Sequence, residues 1–299
     1  MTASKVESES LHVFESLRHE LLALAYRMLG DAARAEDMVQ DAFLRWNARD
    51  VHPDSPRAYL ATVVTRLCLN ELASGRARRE ESRSNRLPEP VDLREAGLAR
   101  LEAVEQVSMA FLVALERLTP AERAVLLLHE VFDFTHEEIA SLILRPPATC
   151  RKLLERARRG VAEGRKLVMA SREEHAQLLA AFVHSAQQGD PAALVRLLAS
   201  DAVLVTDGGE GGTRYGRFRN LPAPLIGGTN VAHFVAAVSE QPGLDFEIHE
   251  LNGRAAAVFR RDGRPFAALL LAVKDGKIHR LYFHADAARL RFLGTAQGG

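Results

Sequence analysis

From Phe14 the apolar residues recur at Leu17, Leu21, Leu24, Ala25 and Met28, the spacing of one helix face. Gly30 follows as a stop suited to the left-handed backbone just past a helix end, and Asp31 as the cap of a second helix. That helix buries Ala35, Met38, Val39, Ala42, Phe43 and Trp46. It turns Glu36, Asp37, Gln40 and Asp41 outward as an acidic face. Ser55 and Pro56 are a start signal for a third helix through Tyr59, Leu60, Val63, Val64, Leu67 and Leu72. From Arg76 to about Arg100 the periodicity weakens, and Leu87-Pro88-Glu89-Pro90 imposes a short rigid extended stretch, so this segment reads as a linker.

A second helical module opens with one stripe of Val107, Phe111, Leu112, Leu115 and Leu118. Thr119 with Glu122, and Thr135 with Glu138, each fit a capping box, in which hydroxyl and carboxylate satisfy orphaned amides at a helix start. The second box predicts a short helix from His136 to about Ile143. A turn at Leu144-Arg145-Pro146 follows, then a long helix from Pro147 through Val168, which is helix-turn-helix spacing.

After Ser171 the pattern changes. A helix carrying Leu178, Leu179, Phe182 and Val183 leads to a short helix after Pro191, a strand at 202–206 and a glycine-rich stretch at 207–212. A helix near 229–239 precedes the alternating strand Leu244 to His249, and Asp262-Gly263 and Asp275-Gly276 mark tight hairpins between three further strands. The expectation is a curved antiparallel sheet packed on helices, an α+β domain over 175–299.

A length of 299 residues asks for more than one domain. With 39 Lys+Arg against 39 Asp+Glu there is no overall basic field, so anion binding must come from local clusters. One such cluster runs from Arg145 to Arg172, where nine cations face only Glu155 and Glu163. On the long helix Cys150, Leu153, Leu154, Ala157 and Val161 form the buried stripe. Thr149, Arg151, Lys152, Glu155, Arg156 and Arg159 face outward, an arrangement that suits the major groove. A weaker cluster from Arg66 to Arg86, with Tyr59 and Asn70 nearby, fits either a second phosphate-tracking surface or a charged linker start. Cys68 and Cys150 give neither a disulfide framework nor metal-ligand spacing, which points to a reducing compartment with no metal or cofactor. The N-terminal residues lack an apolar signal core, and the longest apolar run, Phe266 to Val273, is too short to span a bilayer. Cytoplasmic location without membrane contact is the expectation.

The stretches Asp37 to Trp46 and Ser55 to Leu72 resemble the second conserved domain of extracytoplasmic-function (ECF) sigma factors of the sigma-70 family. The stretch Leu118 to Val125, with the helix-turn-helix ending Cys150 to Arg159, is similar to their fourth domain. Leu87-Pro88-Glu89-Pro90 resembles the linker motif of the subgroup that carries a SnoaL-like (NTF2-like) C-terminal cone domain. The resemblance implies a multidomain fold: sigma domain 2 at 10–80, a linker at 81–103, sigma domain 4 at 104–170 and the α+β cone at 175–299. It implies a sigma factor that directs core RNA polymerase to promoter DNA, with activity modulated in cis by the C-terminal domain. Asp37, Gln40 and Asp41 are then expected at the polymerase surface, with Phe43 and Trp46 there or packed within the domain. Arg57, Arg66, Asn70, Arg76 and Arg78 fall to the −10 element. Arg145, Thr149, Arg151, Lys152, Arg156 and Arg159 fall to the −35 element. Leu87, Pro88, Glu89, Pro90, Asp207, Gly208 and Gly209 fall to cis-regulation. The chain departs from the family pattern in three places. Leu144 and Pro146 stand where relatives often have Gly and a Ser cap, the glycine motif is only approximated at 207–212, and the usual C-terminal ending appears as His284 to Leu290.

Folds of this C-terminal kind hold a pocket, so a small-molecule ligand there, a ligand-sensing DNA-binding regulator, or a fused cyclase or isomerase are competing readings. Asp207, Asp245, Glu247, His249, His279 and His284 are the acid-base candidates, although Asp245, Glu247 and His249 share what reads as a solvated strand face. The sigma reading makes the protein a non-enzyme.

Overall fold

The computed structural model describes residues 3–48, 53–74, 86–93, 96–98, 107–167, 170–209, 221–239, 245–261 and 263–293. They form two compact units. One comprises 1–80, 97–102 and 114–162, the other 81–96, 103–113 and 163–299.

The first unit begins with α1 (Ala3–Leu29), α2 (Ala32–Asn47) and α3 (Pro56–Ala73). Gly30 takes φ 65°, and the Asp31 carboxylate accepts from the Arg34 amide at 3.0 Å, so the break between α1 and α2 is built from a left-handed glycine and a side-chain cap. Ser55 caps α3 in the same way, with Pro56 in the first turn. The predicted stripe of α2 is buried at Ala35, Val39, Ala42 and Trp46. α4 (Met109–Glu116), which belongs to the second unit as far as Val113, is followed by α5 (Pro120–Phe132), α6 (His136–Ile143) and α7 (Pro147–Lys166), the last leaving the first unit after Ala162. Both capping boxes are complete, Thr119 with Glu122 and Thr135 with Glu138. Gly160 lets α7 pass closely, since a Cβ there meets the Leu118 side chain at 2.6 Å. The buried Arg123 of α5 donates to the carbonyls of Leu115, at 3.0 Å, and Met28, tying the helix-turn-helix module to α1.

The second unit contains α8 (Arg172–Gln187), α9 (Pro191–Leu197), α10 (Gly228–Ser239) and a six-stranded sheet. Its strands are β1 (Leu198–Asp207), β2 (Leu225–Ile226), β3 (Asp245–Leu251), β4 (Arg254–Arg261), β5 (Arg264–Lys274) and β6 (Lys277–His284), in the order β2-β1-β6-β5-β4-β3. The sheet is mixed, which corrects the antiparallel expectation: β1 pairs parallel with β6, in register from Val203 opposite Arg280 to Asp207 opposite His284. A parallel neighbour needs a long crossover, and no local spacing announces one. The hairpin signals mark real turns, with Gly263, Asp275 and Gly276 all at positive φ; Asp262 lies outside the described residues.

Both faces of this sheet are covered. On one, Leu179, Phe182 and Val183 of α8 and Val231 and Ala232 of α10 pack with Leu269, Leu271 and Leu281. On the other, Leu270, Ala272 and Tyr282 meet Leu87 of the linker, Met109 and Ala110 of α4, and Leu290 and Leu293 of a C-terminal 3₁₀ helix (Ala287–Leu293). The unbroken apolar run in β5 is the consequence, because every position faces a core.

Candidate functional site

The outward face of α7 stands as the spacing predicts. Cys150, Leu153, Leu154, Ala157 and Val161 are buried, while Arg145, Arg151, Lys152, Arg156 and Arg159 are exposed and Thr149 is half-buried. Arg151 lies 3.4 Å from Glu137, Arg156 3.2 Å from Glu122 and Arg159 3.8 Å from Glu155. The Arg151 and Arg159 pairs are exposed on both sides and hold about 0–1 kcal/mol each, so a phosphate can displace those carboxylates. The turn before α7 is closed by the Leu144 amide donating to the Ala140 carbonyl. Leu144 sits at φ 54° and is 84% exposed, in the backbone conformation that the family's glycine adopts without strain.

On α3, Asn70 is exposed, and Arg76 and Arg78 lie outside the described residues. Arg57 and Arg66 have partners that sequence reasoning missed. The Arg57 guanidinium is 2.7 Å from Glu20, donates to the carbonyls of Val131 (3.0 Å) and Phe132 (3.4 Å), and stacks 4.6 Å over the Phe132 ring. Arg66 donates to the carbonyls of Leu142 and Ser141, both at 3.5 Å. Two arginines of α3 thus serve the orphan carbonyls at the C-terminal ends of α5 and α6, the negative ends of those helices.

On α2, Asp37, Gln40 and Asp41 are exposed together. Trp46 is core: it is 1% exposed and its indole N–H donates to the Ser10 carbonyl at 3.0 Å. Phe43 is half-buried, its ring 4.9 Å from that of Phe14. The apolar residue on the acidic face is Leu44, 58% exposed, which continues the i, i+3, i+4, i+7 series from Asp37. The helical period alone is enough to find it.

Leu87, Pro88, Glu89, Pro90 and Val91 are all buried within the second unit. The Leu87 amide donates to Asp207 Oδ2 at 2.9 Å, and the same oxygen is 2.9 Å from Arg289 Nη1. Asp207 Oδ1 accepts from the Gly209 amide at 3.1 Å, and Gly209 is at φ 69° with no room for a Cβ against Asp286. The structure therefore joins the linker motif, the start of the glycine motif and the divergent C-terminal ending at one carboxylate. Gly211 and Gly212 lie outside the described residues. His284 is beside this pair and fully buried, which pushes its pKa down to about 3; Arg289 adds to the depression and Asp207 opposes it.

Of the other acid-base candidates, Glu247, His249 and His279 have local partners, and the side chain of Asp245 lies outside the described residues. Glu247 lies 2.7 Å from the buried Arg260 and 2.9 Å from His249, and these partners hold its carboxyl below the usual range. His279 is 3.6 Å from Asp201. These groups pair locally and do not converge on the cleft of this unit, which is lined by Ser108, Met109, His175, Asn252, Arg254 and Leu270 among others and has room for about one water. His175 there is buried and donates from Nε2 to the Leu271 carbonyl at 3.2 Å.

Residues 13–79 match the family model for sigma-70 region 2, and residues 108–159 that for sigma-70 region 4. The ECF RNA polymerase sigma factor SigJ of Mycobacterium tuberculosis is 34% identical over 286 residues, covering 90% of this chain and 89% of that protein. The probable ECF RNA polymerase sigma factor SigI of the same organism is 31% identical over 294 residues, covering 94% and 95%. The crystal structure of SigJ superposes with a TM-score of 0.72 at 29% identity, covering 94% of this chain and 98% of that chain.

Proposed function

The chain belongs to the ECF RNA polymerase sigma factors, and we propose that it divides the work of that family among three of its faces. The acidic face of α2, with Asp37, Gln40, Asp41 and the apolar Leu44, docks on core RNA polymerase. The outward face of α7, with Arg145, Thr149, Arg151, Lys152, Arg156 and Arg159, reads the −35 element through base edges and phosphates. Arg57, Arg66, Asn70, Arg76 and Arg78 serve the −10 element. The observation that carries this reading is the basic, exposed face of α7 on a helix-turn-helix whose first helix opens in a complete capping box.

The contacts of Arg57 and Arg66 give the reading a conformational side. Their guanidiniums cannot hold the ends of α5 and α6 and a DNA strand at once, so promoter engagement releases one module from the other. The C-terminal domain acts in cis through the Asp207 carboxylate, which fixes Leu87 and thereby the linker. This domain works by contact and not by turnover: Asp207, Glu247, His249 and His279 are each held in a local pair. Among the described residues no helix is long and apolar enough to cross a membrane, and the protein works where polymerase and DNA are, in the cytoplasm.

Run-off transcription with purified core polymerase tests the reading. The full chain is expected to produce a promoter-specific transcript. Arg151→Ala with Lys152→Ala is expected to reduce it and to lower the salt slope of promoter binding by about one for each phosphate no longer neutralised. A chain that binds neither core polymerase nor promoter contradicts it.

A further inference from the structure

The β3–β4 turn gathers two distant points of the chain at one side chain. Asn252 and Gly253 both have positive φ, 51° and 72°, the backbone of a tight hairpin. Asn252 is also almost wholly buried, and its amide is used at both ends. Oδ1 accepts from the Val91 amide at 3.2 Å, Nδ2 donates to the Val107 carbonyl at 2.9 Å, and the Asn252 backbone N–H donates to the Val91 carbonyl at 2.8 Å. A hairpin needs only the positive φ, which Gly or Asp supplies equally well. An acceptor and a donor on one planar group are what Val91 and Val107 need, and Asn brings both. Beside these bonds Leu87, Met109 and Ala110 pack on the same sheet face.

Val91 lies in the linker and Val107 at the threshold of the helix-turn-helix module, so the two bonds hold together the two residues that flank positions 92–106 of the chain. Fully extended, that much chain reaches about 50 Å. With both ends on Asn252, none of this length is available to separate the two DNA-reading modules. The −10 and −35 elements lie about 85 Å apart along B-form DNA at 3.4 Å per base pair.

We propose that Asn252 is a positioning residue that shortens the interdomain linker, so that its release gives region 4 the reach to occupy the −35 element while region 2 holds the −10 element. The closed staple is inhibitory. The inference rests on the sigma-factor reading and adds to Asp207 a second residue through which the C-terminal domain holds the linker.

The test uses the full chain with core polymerase on promoters that keep both elements and differ in spacer length. Asn252→Gly preserves the turn and removes the amide. Asn252→Asp preserves size and places an acceptor against the Val107 carbonyl. Asn252→Gly is expected to speed hydrogen exchange at the Val91 amide by about tenfold or more, and both variants to raise initiation several-fold, most on the longest spacer, with core affinity unchanged. Faster exchange with initiation unchanged or lowered on every spacer overturns the reach argument and leaves the sigma reading standing. Unchanged exchange overturns the staple itself. If the unsubstituted chain gives no transcript on any spacer, the sigma reading falls and the proposal with it.

Discussion

Asp207 accepts a hydrogen bond from the Leu87 amide at 2.9 Å across 120 positions of sequence, and it does so with the same oxygen that faces Arg289. A carboxylate that is 8% exposed is stable here because a cation and two amides replace its water. Asp207→Ala leaves the Leu87 N–H without its acceptor and the Arg289 guanidinium without its counter-charge. A loss of about 3 kcal/mol in the second unit is expected, seen as faster hydrogen exchange at Leu87 and along β1. Exchange equal to the unsubstituted chain contradicts the pairing.

His284 makes the same region sensitive to acid. Its folded pKa, about 3, lies below its ordinary value of 6.5, so the folded form holds fewer protons than the unfolded form between those values. Its contribution is therefore complete above pH 6.5 and is lost as pH falls toward 3. Asp207 and Arg289 are the charged groups beside it. Replacement by the neutral His284→Gln is expected to flatten the fall in second-unit stability between about pH 6.5 and 4, read from urea midpoints. A fall of the same steepness in the variant places the acid sensitivity elsewhere.

Leu144 holds a conformation that costs a non-glycine residue about 1 kcal/mol, and its exposed side chain regains little by packing. Leu144→Gly is expected to stabilise the helix-turn-helix by up to about 1 kcal/mol, since relief of strain exceeds the added freedom of the unfolded chain. Thermal unfolding measures this; a lower midpoint shows that Leu144 has contacts outweighing its strain.

Leu44 and Trp46 sit two residues apart and separate surface from core. Leu44→Ala is expected to weaken core polymerase binding by about tenfold without loss of fold, as for an apolar anchor at an interface. Trp46→Ala is expected to destabilise the first unit by about 3–5 kcal/mol. Binding by the Leu44 variant at full strength removes that residue from the docking face.

Local signals make most of the first unit legible. Asp31, Ser55, Thr119 and Thr135 announce their helix starts because each cap is satisfied within three residues. The buried stripe of α7 follows from period alone. What escapes are relations set by distant chain. The parallel pairing of β1 with β6 depends on a crossover through α10 and four strands, β2 to β5. Arg57 and Arg66 look like free cations until α5 and α6 present their carbonyl ends. The linker reads only as a short rigid extended stretch because Pro88, Glu89 and Pro90 have no period, yet Leu87 and Val91 are buried against a sheet that begins about a hundred residues later. The unbroken apolar run of β5 is the one sequence sign that both faces of that sheet are covered.

The most direct measurement is run-off transcription by core RNA polymerase with the full chain and with Asp207→Ala, alongside a core-binding assay. The account predicts a promoter-specific transcript that depends on the protein, and a changed yield from the variant at equal core affinity. Equal yields from both forms contradict control of the linker by the C-terminal domain, and absence of any protein-dependent transcript contradicts the assignment of its function.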